Sequence, residues 1–493
     1  MTRSAGMLHT IVLCAALLAA GCGKKGDDSN PCDGVTCSNH GMCIIVGGSA
    51  ACDCYEGYRP VGLSCIAMEE DADDEQDAPA DMDAAEDSAA GEPDSPPDGD
   101  DTAADDQPAE DMAQEDTGGE DIGEEETPVI GECEKAGIDV RVTSDETNTN
   151  HPSITFSGSR FGLAWEDAAA NEIYFARLNE EGDIEGSIMA LTGDAWDSYS
   201  PSLVFNDGFY AVAWINVQSA GSDDELFFTR FNTEGIQIGG EIQETDEALT
   251  FGTVSLTPAG SGYAIAWSDN RDGGSEIYFA LLDTVGVNTS TGKRITNNPN
   301  LSYEPSLAYT GSEYGVAWTD SREGHGKIYF ARIDGAGTKI DDDVRISFGD
   351  EDDSSPSLVF AGTQFGIAWA DGRSGTVPEI YFSRIGLDGV KEGGDIRISP
   401  VGLNSGMPSL VFSEGVFAVA WSSDVGEMNT EIYFARLDED GMKAGSDVRI
   451  TNDSGLSGFP VLAATGSGYG VAWSDNRDEE ILEIYFSRIT CDL

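Results

Sequence analysis

Basic residues are scarce in this sequence. The 493-residue chain has 26 lysines and arginines against 91 aspartates and glutamates, so its formal net charge at pH 7 is −65. A surface of this kind repels nucleic-acid phosphates and anionic lipid head groups. The charge therefore argues against nucleic acid as a partner and against adsorption onto an acidic membrane. The length also exceeds that of one ordinary core and indicates more than one structural unit.

The apolar run at the N-terminus is too short to span a bilayer as a stable helix. It extends from Met7 to Ala20 behind the basic Arg3, which predicts a signal peptide over residues 1–21.

The end of this run resembles the lipobox of bacterial lipoproteins, because it has the sequence Leu18-Ala19-Ala20-Gly21-Cys22. The resemblance implies a diacylglycerol on Cys22, a lipidated tether over 22–29, and anchoring in the cell envelope outside the cytoplasm. Gly23 stands where an aspartate would retain a lipoprotein at the inner membrane, which favours the outer membrane. An ordinary cleaved signal with a chance cysteine is the alternative.

A group of cysteines follows the tether: Cys32, Cys37, Cys43, Cys52, Cys54 and Cys65. In an exported chain they predict a disulfide framework rather than a zinc site, although the sequence alone allows fifteen pairings. The spacing and the stretch from Cys52 through Gly57 to Cys65 resemble an EGF-like module over 30–66. That resemblance implies the pairs Cys32–Cys43, Cys37–Cys52 and Cys54–Cys65. Asn30-Pro31 replaces the acidic pair of calcium-binding members, so no calcium is expected in this module.

Residues 67–130 form an acidic segment without a core. Between Glu69 and Pro128 the sequence has no lysine, arginine or aromatic residue, and aspartate and glutamate dominate. Such a composition cannot bury enough apolar surface to offset the entropy of ordering. We expect a disordered, extended linker; weak cation binding or docking to a basic partner is the alternative use.

From His151 onward a pattern recurs about every fifty residues, which is in the range of propeller blades. Its tryptophans are Trp165, Trp214, Trp267, Trp318, Trp369, Trp421 and Trp473. Each repeat has three runs rich in β-branched and aromatic residues, bounded by Gly, Asp and Asn, which predict strands. The sequence therefore predicts an all-β, seven-bladed β-propeller over 131–493.

A fourth, weaker strand predicts how the ring closes. It follows the third run at 344–347, 396–399 and 448–451, but the seventh repeat stops after its third run, near Ile489. The missing strand stands before the first repeat, at 139–143. We predict that it completes the last blade, which removes two open sheet edges; a linear β-solenoid would not explain the displaced strand. Cys133 and Cys491 flank this junction and are predicted to form a disulfide worth about 3–5 kcal/mol.

One loop and the strand after it resemble those of the TolB-type, WD-like propeller family. The loop is Asp269-Asn270-Arg271-Asp272-Gly273, and Glu276-Ile277-Tyr278 begins the strand. The resemblance covers most of 139–490 and implies the fold. It does not imply a function, since propellers serve as enzymes, receptors and scaffolds.

Charged residues recur after the tryptophan strand, and in such propellers this loop lies beside the channel mouth. The positions are Asp167, Asp269, Arg271, Asp320, Arg322, Asp371, Arg373, Asp475 and Arg477. One hypothesis makes them a polar ligand face; the other has each aspartate capping a turn or pairing with an arginine. Repetition favours the structural hypothesis, because a catalytic site needs unlike residues in one place. The second blade departs fully from this Asp-x-Arg pattern, with Asn216, and the sixth departs partly, with Ser423-Asp424. Such departures can mark where a ligand enters.

Trp196 is the tryptophan that stands outside the repeat, between the first two blades. It can stack on a sugar or anchor a partner, or it can pack over the joint between the blades.

Signals for catalysis are thin. Only four histidines are present, and neither a Gly-x-Ser-x-Gly elbow nor a His-Glu-x-x-His helix occurs. The sialidase-type Ser-x-Asp-x-Gly-x-Thr-Trp turn and the integrin-type Asp-x-Asp-x-Asp-Gly loop are also missing from the sequence. We expect no cofactor and no metal, and we favour a lipid-anchored binding or scaffold protein for a protein or glycan partner. An extracytoplasmic carbohydrate-active hydrolase or lyase with a carboxylate pair is the alternative.

Overall fold

The structure is a computed structural model. It describes residues 41–46, 49–54, 58–60, 65–67 and 131–492, the last range without 145–147, 194–196, 218–223, 246–249, 291, 427 and 479–480. The chain divides into two units, Met1–Glu75 and Gln76–Leu493. Every regular element among these residues is a β-strand, and they include no helix long and apolar enough to cross a membrane.

The described residues of the first unit form two antiparallel strand pairs. β1 (Gly41–Val46) pairs with β2 (Ser49–Cys54), and β3 (Tyr58–Pro60) pairs with β4 (Cys65–Ala67). The predicted lipid site at Cys22, the acidic linker and the side chains of the six cysteines lie outside the described residues. The EGF-like pairing therefore stays a prediction.

The second unit contains seven four-stranded antiparallel sheets, which are the blades of a propeller. Blades 1 to 3 consist of β6 (Thr149–Phe156), β7 (Phe161–Asp167), β8 (Glu172–Leu178) and β9 (Met189–Ala190); β10 (Asp197–Asn206), β11 (Phe209–Val217), β12 (Asp224–Asn232) and β13 (Ile242–Gln243); and β14 (Thr250–Ala259), β15 (Gly262–Asp269), β16 (Glu276–Leu282) and β17 (Lys293–Arg294). Blades 4 to 6 consist of β18 (Ser302–Tyr309), β19 (Tyr314–Asp320), β20 (Lys327–Ile333) and β21 (Val344–Arg345); β22 (Ser354–Phe360), β23 (Gln364–Asp371), β24 (Glu379–Gly386) and β25 (Lys391–Arg397); and β26 (Ser405–Ser413), β27 (Val416–Gly426), β28 (Asn429–Leu437) and β29 (Lys443–Arg449). Blade 7 consists of β30 (Ser457–Thr465), β31 (Gly468–Asp475), β32 (Glu483–Cys491) and β5 (Cys133–Arg141).

The ring closes as the sequence predicts. The first strands of successive blades contact one another around the whole circle, including β30 with β6, so they are the innermost strands. β5 pairs with β32, and Val140 lies opposite Phe486. Cys133 and Cys491 form a disulfide across this pair. β5 begins at Cys133, earlier than the predicted start at Asp139, because a register shift at the left-handed Gly137 (φ 80°) lets the pairing continue as far as the disulfide.

The hydrophobic core lies between neighbouring blades. The second strand of each blade is buried along nearly its whole length, and the seven repeated tryptophans are 0–1 % exposed. Val316 and Trp318 of blade 4 pack against Ile277 and Phe279 of blade 3 in one cluster. The second and third strands are covered on both faces, which explains why their sequences are continuously apolar rather than alternating.

Serines of the innermost strands join one blade to the next. The Oγ of each accepts a hydrogen bond from the backbone N–H of a residue in the following blade, at 2.9–3.0 Å. These serines are Ser153, Ser202, Ser255, Ser306, Ser357 and Ser409. Blade 7 has Val461 at the equivalent position, so the joint between blades 7 and 1 has no hydroxyl to accept this bond.

A second repeated contact binds the outer strand to the third. In blade 3 the Thr296 Oγ1 accepts from the backbone N–H of Ile277 (2.8 Å) and donates to the buried carboxylate of Glu276 (2.5 Å). In blade 7 Thr143, which follows β5, takes the place of Thr296 and accepts from the backbone N–H of Ile484 (2.9 Å). The N-terminal strand thus reproduces the contact that the other blades make within their own repeat.

Candidate functional site

The aspartates after the tryptophan strands are bound inside their own blades. In blade 4, Trp318 Nε1 donates to Asp320 Oδ2 (2.9 Å), while Arg322 donates from Nε to Oδ1 (2.8 Å) and from Nη2 to Oδ2 (2.6 Å). Burial alone would raise the pKa of Asp320, but the hydrogen bonds from Arg322 and Trp318 outweigh it and lower this pKa. The same triad occurs as Trp267–Asp269–Arg271, Trp369–Asp371–Arg373 and Trp473–Asp475–Arg477. These carboxylates are hydrogen-bonded within their own blades and nearly inaccessible.

The arginines of these triads also bind the outer strand. Arg322 lies over the ring of Tyr329, 4.1 Å from its centroid, and its Nη2 is 2.9 Å from Asp343. Asp343 binds Lys339, whose Nζ donates to the carbonyl of Ile295 in the preceding blade (3.3 Å). Blades 5 and 7 repeat this chain through Arg373, Asp395 and Lys391 and through Arg477, Asp139 and Lys135. The Asp–Arg pairs therefore lie within single blades, and the lysines extend these contacts to the preceding blade.

Blades 1, 6 and 2 depart from the triad in different ways. Asp167 Oδ1 accepts from the backbone N–H of Ala169 (3.0 Å) and thus caps a turn. In blade 6, Ser423 Oγ accepts from Trp421 Nε1 (3.0 Å). In blade 2, Trp214 Nε1 is buried and has no hydrogen-bond partner among the described residues. Trp196 lies outside those residues, so its predicted role stays a prediction.

A ring of left-handed residues surrounds the axis, and the sequence did not predict it. In six blades the residue before the proline of the innermost strand has a positive φ: His151 (46°), Ser200 (53°), Glu304 (56°), Ser355 (56°), Met407 (55°) and Phe459 (53°). Each lies where the register between the first and second strands shifts. Non-glycine residues adopt this conformation rarely and at an energetic cost, so the packing imposes it. The recurring X-Pro, followed by serine in five of these six blades, was the available signal, but X is serine in two blades and a different residue in each of the other four.

Where blades 7 and 1 meet, several of these unlike side chains come together. His151 Nδ1 is 3.1 Å from Glu166 Oε2, and the same carboxylate oxygen accepts from the backbone N–H of Ser200 (3.3 Å). The rings of His151 and Phe459 are in edge-to-face contact, with centroids 4.4 Å apart. Ser474 Oγ donates to Asn150 Oδ1 across the same joint (2.9 Å).

A cleft of about 750 Å³ lies between blades 6 and 7, at the end of the strands opposite to the triads. Its walls are the hairpin turns of both blades and the ring-closing disulfide; Glu414, Arg436, Asp438, Glu439, Asp440, Tyr469, Cys491 and Asp492 contribute to them. Several of its carboxylates have structural partners. Asp438 caps the turn at the backbone N–H of Asp440 (3.0 Å), and Asp440 is paired with Arg384 (2.9 Å).

The part of the chain that the structure describes has no group of three or more His, Cys, Asp or Glu side chains placed to hold a metal ion.

The similar solved structures described below share 11–13% sequence identity with this chain. No protein-family model and no curated sequence matches the chain. A protein of unknown function from Dyadobacter fermentans is 11% identical with a TM-score of 0.47, over 74% of this chain and 100% of that one. A puromycin-hydrolysing peptidase from Mycobacterium tuberculosis is 12% identical with a TM-score of 0.44, over 67% of this chain and 50% of that one. An endo-arabinanase from Bacillus licheniformis is 13% identical with a TM-score of 0.34, over 51% of this chain and 99% of that one.

Proposed function

We propose that this protein is a non-catalytic binding protein whose propeller engages a protein or glycan at the channel face. The observation that carries the proposal is the contrast between the two sets of residues around the axis. The repeated aspartates and arginines are engaged in internal contacts such as Asp320–Arg322. The residues that vary from blade to blade, such as His151 and Met407, are partly exposed and held in a fixed left-handed conformation. A rigid face whose side chains differ between most of its sectors suits selective recognition.

The rest of the chain fits a tethered binding protein. A lipid on Cys22 would hold it in the outer membrane, the EGF-like module at 30–66 would act as a compact spacer, and the acidic linker at 67–130 would provide reach. Mutual repulsion of the carboxylates extends such a linker, which lets the propeller search a volume around its anchor.

The proposal is tested with the detergent-purified full chain. It is applied to a printed array of neutral and acidic oligosaccharides and, in parallel, cross-linked to isolated cell-envelope proteins. Saturable binding without any change in the bound glycan or protein is the expected result. An absence of saturable binding in both arms would contradict the proposal.

The second candidate function is a carbohydrate-active hydrolase or lyase, and the cleft between blades 6 and 7 favours it. That cleft is off the axis and combines the carboxylates of Glu414 and Glu439 with unlike neighbours, Arg436 and Tyr469. Reducing-sugar release during the array experiment would support it. Loss of that release in Glu414→Gln or Glu439→Gln, with Asp424→Asn outside the cleft as the control, would assign the reaction to this cleft.

A further inference from the structure

Internal repetition separates residues with a structural role from residues that are free to differ. A contact needed by every blade recurs at the same position, as the serine joints and the triads do. Departures also occur singly in other blades, as at Asn216, Lys327 and Ser423. Several departures that lie close together in space indicate that this one site has a function which the other blades do not share.

Several departures meet where blades 7 and 1 join. Val461 replaces the serine that joins the other blades. Glu166, which follows Trp165, is charged, whereas the residue after the repeated tryptophan is uncharged in the other six blades. Those residues are Ile215, Ser268, Thr319, Ala370, Ser422 and Ser474. Phe459 and His151 are the two members of the left-handed ring that form an aromatic contact. We refer to His151, Glu166, Phe459 and Ser200 as the seam site.

The seam site is accessible and its groups are oriented. The side chain of His151 is 38% exposed and that of Glu166 is 14% exposed. Glu166 Oε2 accepts from the backbone N–H of Ser200 (3.3 Å) and lies 3.1 Å from His151 Nδ1, without a hydrogen bond to it. Phe459 has a positive φ and is followed by Pro460, so its backbone has little freedom to reorient.

We propose that the seam site binds a neutral pyranose of a glycan; this rests on the proposed binding function and specifies its ligand. A pyranose has an apolar face of C–H groups and a rim of hydroxyls. An aromatic ring such as that of Phe459 packs against the C–H face, and a carboxylate such as that of Glu166 accepts hydrogen bonds from the hydroxyls. The arginines that would attract an anionic sugar are bound to their own aspartates, and the net charge of −65 repels one. The site therefore selects neutral over uronic or sulfated sugars.

The experiment compares matched positions of the left-handed ring in the full chain. The probes are an array of glucan, mannan, galactan and N-acetylglucosamine oligomers beside uronic and sulfated glycans, followed by calorimetry with the strongest oligosaccharide. We expect Phe459→Leu and Glu166→Gln each to weaken binding by about tenfold. Met407→Leu, at the equivalent position of blade 6, should change it less than twofold. Unchanged thermal unfolding of each variant shows that the propeller has kept its fold.

The outcomes separate this inference from the function on which it rests. Glycan binding that survives Phe459→Leu and Glu166→Gln overturns the seam site but leaves the binding function intact. Preference for acidic glycans, or binding of a protein and of no glycan, overturns the proposed ligand class. Failure to bind any glycan or envelope protein overturns both proposals.

Discussion

Removal of the disulfide between Cys133 and Cys491 is a direct test of the closed ring. The bond joins residues 358 positions apart. For a loop of that length, the loss of chain entropy in the unfolded state amounts to on the order of 5–6 kcal/mol, which is an upper limit because unfolded chains retain structure. We expect the double variant Cys133→Ala/Cys491→Ala to lose about 3–5 kcal/mol of unfolding free energy. β5 stays paired with β32 in the folded state, so the loss arises mainly in the unfolded chain.

Tryptophan fluorescence is the assay, because all eight tryptophans lie between Trp165 and Trp473 and so report on the propeller unit alone. With an entropy of unfolding near 2.1 cal/mol/K per residue, about 4 kcal/mol lowers the melting temperature of a unit this size by about 5 °C. Glu134→Ala, an exposed change in the same strand, is the matched control. A melting temperature within about 1 °C of the unmodified protein would refute the assignment of the stabilisation to loop closure.

Three further predictions concern buried charges. Lys327 pairs with Asp353 (2.9 Å), and both are nearly inaccessible. Lys327→Ala should lower the unfolding free energy by about 3–5 kcal/mol. Lys327→Glu/Asp353→Ser, which copies Glu276 of blade 3 and Ser302 of blade 4, should recover most of that loss in denaturant titrations. Burial, with a smaller effect of Asp283, raises the pKa of Glu244 from 4.5 to about 8. The folded state therefore keeps a proton on Glu244 that the unfolded state loses, so the unfolding free energy falls as the pH rises from about 4.5 to 8. Glu244→Ile introduces the residue that blade 3 has at the equivalent position, Ile295, and should raise the melting temperature more at pH 8 than at pH 5. An equal rise at both pH values would contradict this. Asp320→Asn should lower the unfolding free energy by about 2–3 kcal/mol at pH 7. The pKa of Asp320 is lowered in the folded protein, so its ionised carboxylate stabilises the fold only at a pH above that pKa. The difference between the variant and the unmodified protein should therefore shrink as acid protonates Asp320.

Ring closure was predictable because the sequence repeats. The seven repeated tryptophans give the number of blades, one for each. The displaced strand at 139–143 identifies the blade that is completed from the N-terminus. The disulfide followed from the positions of Cys133 and Cys491 just outside the two paired strands. Each inference used comparison between repeats, which needs no knowledge of side-chain geometry.

The contents of the channel face could not be predicted in the same way. The left-handed conformation of His151 and Phe459 arises from a register shift between two strands, and no single residue type encodes it. The contact between these two rings joins the end of the repeat to its beginning, so nothing in local sequence brings them together. Lys327 stands where the other blades have a glutamate, and its partner Asp353 belongs to the next blade, so local sequence does not explain the exchange.

Blade 2 offers the sharpest test of the idea that each blade solves the same bonding problem. Trp214 Nε1 and Ser198 Oγ are both buried and lack hydrogen-bond partners among the described residues. Ser198 lies opposite Asn216 in the strand pair, as Ser405 lies opposite Ser423 in blade 6. There, Ser423 accepts from Trp421 Nε1 (3.0 Å) and shares a hydrogen bond with Ser405 (2.7 Å). Asn216→Ser should reproduce that arrangement, satisfy both groups and raise the unfolding free energy by about 1–2 kcal/mol. Asn216→Ala, which shortens the side chain without supplying a hydroxyl, should lower the unfolding free energy. If the serine and alanine variants have the same melting temperature, the tryptophan N–H of blade 2 does not need the acceptor that blade 6 provides.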